Sequence, residues 1–119
     1  MPKIDSTKFG SITINGIKYS QILIIGNEVI QRDEKALREE FGTTHYISEK
    51  EQKKLLSKNP EIIIIGTGAQ GVLKTFPEFD KKIAEKGIKL IKLKTLLAAE
   101  KYNQISEQKR VNTLIHTTC

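Results

Sequence analysis

Along residues 12–19 the apolar positions fall at Ile12, Ile14, Ile17 and Tyr19, on either side of Asn15-Gly16. Spacing by two predicts strands, and an Asn-Gly pair supplies the positive φ angles of a two-residue type I′ turn, so this segment predicts a β-hairpin. Ile22–Ile25 and residues 29–31 predict a second strand pair around Gly26-Asn27. Residues 33–46 follow no clear period. Residues 33–41 fit either a short helix or a loop, Gly42-Thr43-Thr44 breaks the segment, and His45-Tyr46-Ile47 reads as a short extended piece.

From Ser48 onward the pattern becomes helical. Ser48 and Glu51 have the spacing of a capping box, in which each side chain accepts the other residue's free backbone N–H. Leu55 and Leu56 form the apolar face of this helix, and Asn59-Pro60 ends it. Residues 61–65 hold four consecutive isoleucines, Ile62 to Ile65, with no polar position among them. Such a run predicts a strand buried on both faces, at the centre of a sheet between helix layers. Pro77 and Gly87 frame the next helix, which carries Phe79 and Ile83 on its inner face, and residues 88–93 form the following strand. This strand–helix–strand unit is expected to cross over right-handed. Thr95 reads as the cap of a last helix with Ala98, Tyr102 and Ile105 on one side. Residues 106–110 read as a polar loop, 111–115 as a final strand, and His116-Thr117-Thr118-Cys119 as a tail.

The length, 119 residues, suits one domain spanning residues 1–119, since two halves would each be too short to bury a good core. No apolar run approaches the roughly 18 residues of a membrane span, and the N-terminus has no apolar signal core. Cys119 is the single cysteine, so no intrachain disulfide forms, and a reducing cytoplasm is the expected location. The net charge is +6, yet 17 of the 20 basic residues are lysines spread along the chain, and only Arg32, Arg38 and Arg110 are arginines. Sequence-reading nucleic-acid proteins cluster arginines and interleave aromatics. The expectation is therefore a solvated lysine surface and no specific nucleic-acid binding.

The sharpest local motif is Gly66-Thr67-Gly68-Ala69-Gln70-Gly71, a G-x-G-x-x-G that directly follows the isoleucine strand. In dinucleotide-binding folds such glycines bring backbone N–H groups to a pyrophosphate at a helix N-terminus. Here Val72 to Phe76 separate the glycines from the helix that starts near Pro77. The next strand also ends Lys92-Leu93-Lys94, where that fold needs an acidic residue for the ribose. The motif reads either as a structural turn or as a nest for an anion. In the second case the candidate site residues are Gly66, Thr67 and Gly68, with Lys74 and Arg110 as charge donors. His116 and Cys119 have H-x-x-C spacing, but His45 is the only other histidine, so His and Cys alone cannot complete a zinc site. Both read as tail residues without chemistry. Neighbouring carboxylates such as Asp33/Glu34 and Glu39/Glu40 point apart on a helix, and no G-x-S-x-G or P-loop is present. No catalytic residue, metal or cofactor is assigned.

Residues 60–119 carry an ordered set of motifs: Ile63-Ile64-Ile65-Gly66-Thr67-Gly68, Val72-Leu73-Lys74, Pro77, Lys86-Gly87-Ile88, Leu93, Thr95, Tyr102-Asn103, Arg110-Val111 and His116-Thr117-Thr118-Cys119. As a set they resemble the Mth-domain family, which takes in an adipogenesis-associated protein and an assembly factor of mitochondrial NADH dehydrogenase. Phe9-Gly10 and Ile14-Asn15-Gly16 extend the similarity into residues 9–32. The resemblance implies a three-layer α/β fold with a mixed central sheet, and no established enzymatic activity. Relatives vary at the position of Gly71, which leaves Gly66 and Gly68 as the better candidates for a special backbone. Two functions follow as expectations. The first is a non-enzymatic, assembly-type module that binds another protein, without membrane insertion and with homo-oligomerisation left open. The second is a protein binding a small ligand or anion, or an enzyme of unknown reaction, through Gly66–Gly71.

Overall fold

Among the described residues, 2–119, the computed structural model has eight strands and four helices. In chain order these are β1 (Ile4–Lys8), β2 (Ser11–Ile14), β3 (Ile17–Tyr19), β4 (Ile22–Ile25), β5 (Glu28–Gln31), α1 (Glu34–Phe41), α2 (Glu49–Leu55), β6 (Ile62–Thr67), α3 (Pro77–Glu85), β7 (Lys89–Leu93), α4 (Thr95–Ile105) and β8 (Val111–His116). A five-stranded mixed sheet runs in the order β5-β4-β8-β6-β7, and a small antiparallel sheet in the order β1-β2-β3. β8 joins the two halves of the large sheet, antiparallel to β4 and parallel to β6.

Successive residues of a strand face opposite sides, and this sheet is apolar on both. Ile22, Ile24, Ile64, Val111 and Ile115 pack toward Ile4, Ile12 and Ile14 of the small sheet and Ala98 and Tyr102 of α4. Leu23, Ile25, Ile63, Ile65 and Leu114 pack toward Leu55 of α2, Phe79 and Ile83 of α3, and Ile47 and Leu73 in loops. Three layers result, as the family resemblance implies.

The capping box at Ser48 and Glu51 forms in both directions, and Asp33 caps α1 through the Ala36 N–H, which makes residues 34–41 a helix. His45-Tyr46-Ile47 is not a strand. Thr95 is not a cap: Lys94 takes that position, and the Thr95 hydroxyl donates instead to the carbonyl of His116. β1 is an unexpected strand, because Asp5, Ser6 and Thr7 give it no apolar period. Its outer edge is closed by α4, where the Asn103 side chain accepts from the Ile4 N–H at 2.9 Å and donates to the Ile4 carbonyl at 2.7 Å. The isoleucine strand β6 is buried on both faces but lies beside the centre, which belongs to β8. No helix is long and apolar enough to cross a membrane.

Candidate functional site

The C-terminal ends of the parallel strands β6 and β8 meet at Thr67 and His116, which lie side by side in register. Gly68, at φ +104, turns the chain out of β6 in a conformation that side chains rarely adopt. A Cβ there would strike the backbone of Cys119 and come within 2.8 Å of His116 Cδ2. The segment after β8 therefore lies directly against the glycine turn. The N–H of Ala69 donates to the Thr118 carbonyl at 2.7 Å, and those of Gln70 and Val72 both donate to the Cys119 carbonyl at 3.0 Å. The Thr67 hydroxyl donates to the Leu93 carbonyl at 3.1 Å.

These contacts decide what the glycine turn can offer a ligand. The N–H groups that would form an anion nest already hold the chain's own carbonyls. Gly66, Thr67 and Gly68 stand together, and Lys74 points into solvent from the same loop. Arg110 does not join them. It precedes Val111, which pairs with Ile62 at the other end of β6, so about 20 Å of strand separates it from the turn. There its Nε donates to the Asn59 carbonyl at 2.8 Å, and its N–H donates to Glu61, whose carboxyl is held below its ordinary pKa chiefly by that bond. Arg110 also lines a cleft of about 830 Å³ with Ile25, Asn27, Glu28, Lys58 and Glu61.

His116 is a fully buried strand residue at the centre of a polar network, not a tail residue. Its Nδ1 lies 2.7 Å from Gln21 Oε1 and its Nε2 3.1 Å from the Thr118 hydroxyl. Because Gln21 Oε1 is an acceptor, Nδ1 carries the proton and Nε2 accepts from Thr118. Gln21 Oε1 also accepts from Arg32 Nη1 at 2.7 Å, while Gln21 Nε2 donates to the Thr44 hydroxyl at 3.1 Å. Arg32 has no exposed side-chain surface and uses all five of its donors. Nε and Nη2 grip Glu51 at 2.7 and 3.0 Å, and the remaining N–H groups reach Gln21 and the carbonyls of Thr44 and Tyr46. His45 stands edge-on to His116 with ring centres 5.1 Å apart. Burial first, then the Arg32 charge and His45, push the His116 pKa down to about 4, which keeps the ring neutral.

Sequence reasoning missed Gln21, Arg32 and Thr44, and assigned Glu51 only its capping role. The one available signal was Arg32, a rare arginine at the end of a strand pair. All five Arg32 donors and both His116 ring nitrogens are engaged within the protein. Among the described residues, no three His, Cys, Asp or Glu side chains are placed to share a metal ion.

Several large apolar side chains on segments near this end of the sheet are exposed. Phe9, Leu96 and Leu97 are 67%, 60% and 51% exposed, and Val72 is 37% exposed. The segments that carry them are pinned to one place. Gly10 N–H donates to the Thr117 carbonyl, Val72 N–H to the Cys119 carbonyl, and Thr95 N–H to the Gly68 carbonyl.

The family described as "Protein of unknown function (DUF498/DUF598)" matches residues 4–116. Among solved structures, the chain is similar to a conserved hypothetical protein of Pyrococcus horikoshii OT3, with 27% identity over 98% of this chain and 99% of that one, at a TM-score of 0.86. It is similar to a protein designated MT938, with 32% identity over the whole of both chains and a TM-score of 0.78. It shares its fold with a Bordetella pertussis protein described as an Mth938-like domain, with 19% identity over 97% of this chain and 85% of that one, at a TM-score of 0.62. With motifs, fold and matched span in agreement, the chain belongs to the DUF498/DUF598 family of Mth938-like domains, whose function is unknown.

Proposed function

We propose that this chain is a non-enzymatic protein-binding module, of the kind that helps another assembly form, and that it binds through the end of the sheet around Thr117–Cys119. The observation that carries this reading is the exposure of Phe9, Val72, Leu96 and Leu97 on three segments, two of them held by the backbone of Thr117 and Cys119 and the third by the carbonyls of Gly68 and His116. Exposed large apolar side chains scattered singly need no explanation, but several gathered about one feature are characteristic of recognition surfaces. The rival reading, a small-anion site at Gly66–Gly71, finds less support, since the N–H groups of Ala69, Gln70 and Val72 are engaged.

The test is crosslinked capture in cells of the source organism, followed by titration of any captured protein in purified form. Three chains are compared: wild type, Phe9→Ser with Leu96→Ser, and a control with Lys35→Ser and Lys81→Ser on exposed helix faces. Under the proposal one partner binds wild type and control alike, and the apolar double variant loses it while melting at the same temperature. A partner held equally by all three chains, or no saturable partner for wild type, overturns it.

A further inference from the structure

Resting on that reading, the charges around the same surface specify the partner's chemistry. The segments that build this end are residues 6–10, 19–21, 43–47, 66–76, 93–99 and 116–119, and none contains an aspartate or glutamate. They carry Lys8, Lys74 and Lys94, all exposed and none in an ion pair among the described residues. Each lysine is within two positions of an exposed apolar residue in the chain. Lys8 precedes Phe9, Lys74 follows Val72 by two, and Lys94 precedes Leu96 by two. Lys94 also lays its alkyl stem over Gly71, with Cε 3.7 Å from where a Cβ would stand, which places it beside the Val72 loop. The carboxylates around this end are engaged or lie away from it: Glu51, which shares Arg32 with the Thr44 and Tyr46 carbonyls, is buried in that ion pair. Asp5 accepts from Gly16 at the far end of the hairpin, Glu78 and Asp80 belong to α3 on the other layer with Asp80 held by Lys92 and Thr75, and Glu100 is one turn further along α4.

We infer that this surface docks an acidic segment of a partner protein, one that presents aspartate or glutamate beside apolar side chains. Unpaired lysines around exposed apolar groups complement that composition and repel a basic one, and such complementarity sets both encounter rate and choice of partner. An anionic lipid surface has the same charge but fits less well. The surface is not wholly apolar, since the exposed amide side chain of Gln70 lies on the loop between Gly68 and Val72. That amide needs hydrogen-bonding partners, which a protein interface supplies at about one bond per 100–200 Å² and a hydrocarbon layer does not.

The test uses a displayed library of random linear peptides selected on the wild-type protein, with vesicles rich in phosphatidylserine as a second arm. Selected peptides are then titrated against wild type, Phe9→Ser/Leu96→Ser and the charge reversal Lys8→Glu/Lys74→Glu/Lys94→Glu. The expected result is enrichment of peptides combining Asp or Glu with Phe, Leu or Ile. Their affinity falls by about tenfold or more in both variants and weakens with added salt. Peptides that depend on Phe9 and Leu96 but tolerate the charge reversal, or that are basic, overturn the acidic-partner inference and leave the protein-binding reading standing. Peptides indifferent to both variants, or no enrichment, overturn both. Vesicle binding lost on charge reversal, with no peptide enriched, replaces the protein partner with a lipid surface.

Discussion

Glu51→Ala removes one residue from two structures at once, and the two losses can be separated. Glu51 accepts from the Ser48 N–H at 3.0 Å as half of a capping box, and its two oxygens hold Arg32 Nε and Nη2. The cap alone is worth about 1 kcal/mol, the usual cost of losing an N-cap side chain. The ion pair weighs more. Arg32 is fully buried and cannot turn to water, so without Glu51 a guanidinium charge remains in the interior with only neutral acceptors. Breaking a buried pair from one side costs about 3–5 kcal/mol. The sum is a large share of the roughly 5–15 kcal/mol by which a domain of ordinary size is stable. Urea unfolding followed by far-ultraviolet circular dichroism should show Ser48→Ala losing about 1 kcal/mol and Glu51→Ala losing about 4–6 kcal/mol. Replacing both charges, Arg32→Met with Glu51→Leu, should recover only part of that loss, because Gln21, Thr44 and Tyr46 would each lose a donor. If Glu51→Ala costs no more than Ser48→Ala, the buried pair does not hold the N-terminal strands to α2 and the reasoning fails.

Two further outcomes follow. His116 titrates near 4 in the folded protein against about 6.5 when unfolded, so the unfolded chain takes up the proton first. Stability is therefore full above pH 6.5 and falls as pH drops toward 4, by about 3 kcal/mol for a shift of this size. Melts across that window should show a slope that His116→Asn lacks, and equal slopes would refute the assignment. Gly68→Ala should cost more than Gly71→Ala. Both glycines have positive φ, worth about 1–2 kcal/mol for a side chain, but only at Gly68 would the new Cβ meet Cys119 and His116, whereas at Gly71 the nearest atom is 3.6 Å away. Equal melting temperatures for the two variants would show that the tail does not press on the turn.

What the sequence revealed depended on how far apart the cooperating residues lie. The Ser48–Glu51 box and the Asn15-Gly16 hairpin were legible because each is complete within a few residues. The isoleucine strand was legible because burial on both faces leaves no place for a polar residue. β8 was read as an ordinary last strand, although it is the middle of the sheet, because Asn112, Thr113 and His116 disguise it. Each satisfies its polarity with a distant partner: Asn112 donates to the carbonyls of Leu55 and Ser57, Thr113 to that of Ile64, and His116 bonds to Gln21. The Arg32 network was hidden for the same reason, its side chains being separated by 11, 19 and 95 positions. Arg110 was grouped with the glycine turn on the strength of a shared motif block. Strand direction puts the start of β8 and the end of β6 at opposite ends of the sheet.

The place of β8 governs how the chain can fold as it is made. β8, the eighth strand in chain order, is the one that β4 and β6 both pair with, so the sheet stays in two pieces until residue 116 is available. At typical rates of about 5–20 residues per second, several seconds pass between the emergence of β4 and that of β8. Closing the sheet then joins residues about 90 positions apart, a non-local step of the kind that slows folding. A nascent chain halted before Val111 would present the facing edges of β4 and β6, two isoleucine-rich strands with unpaired N–H and C=O groups, from which edge-to-edge aggregation begins.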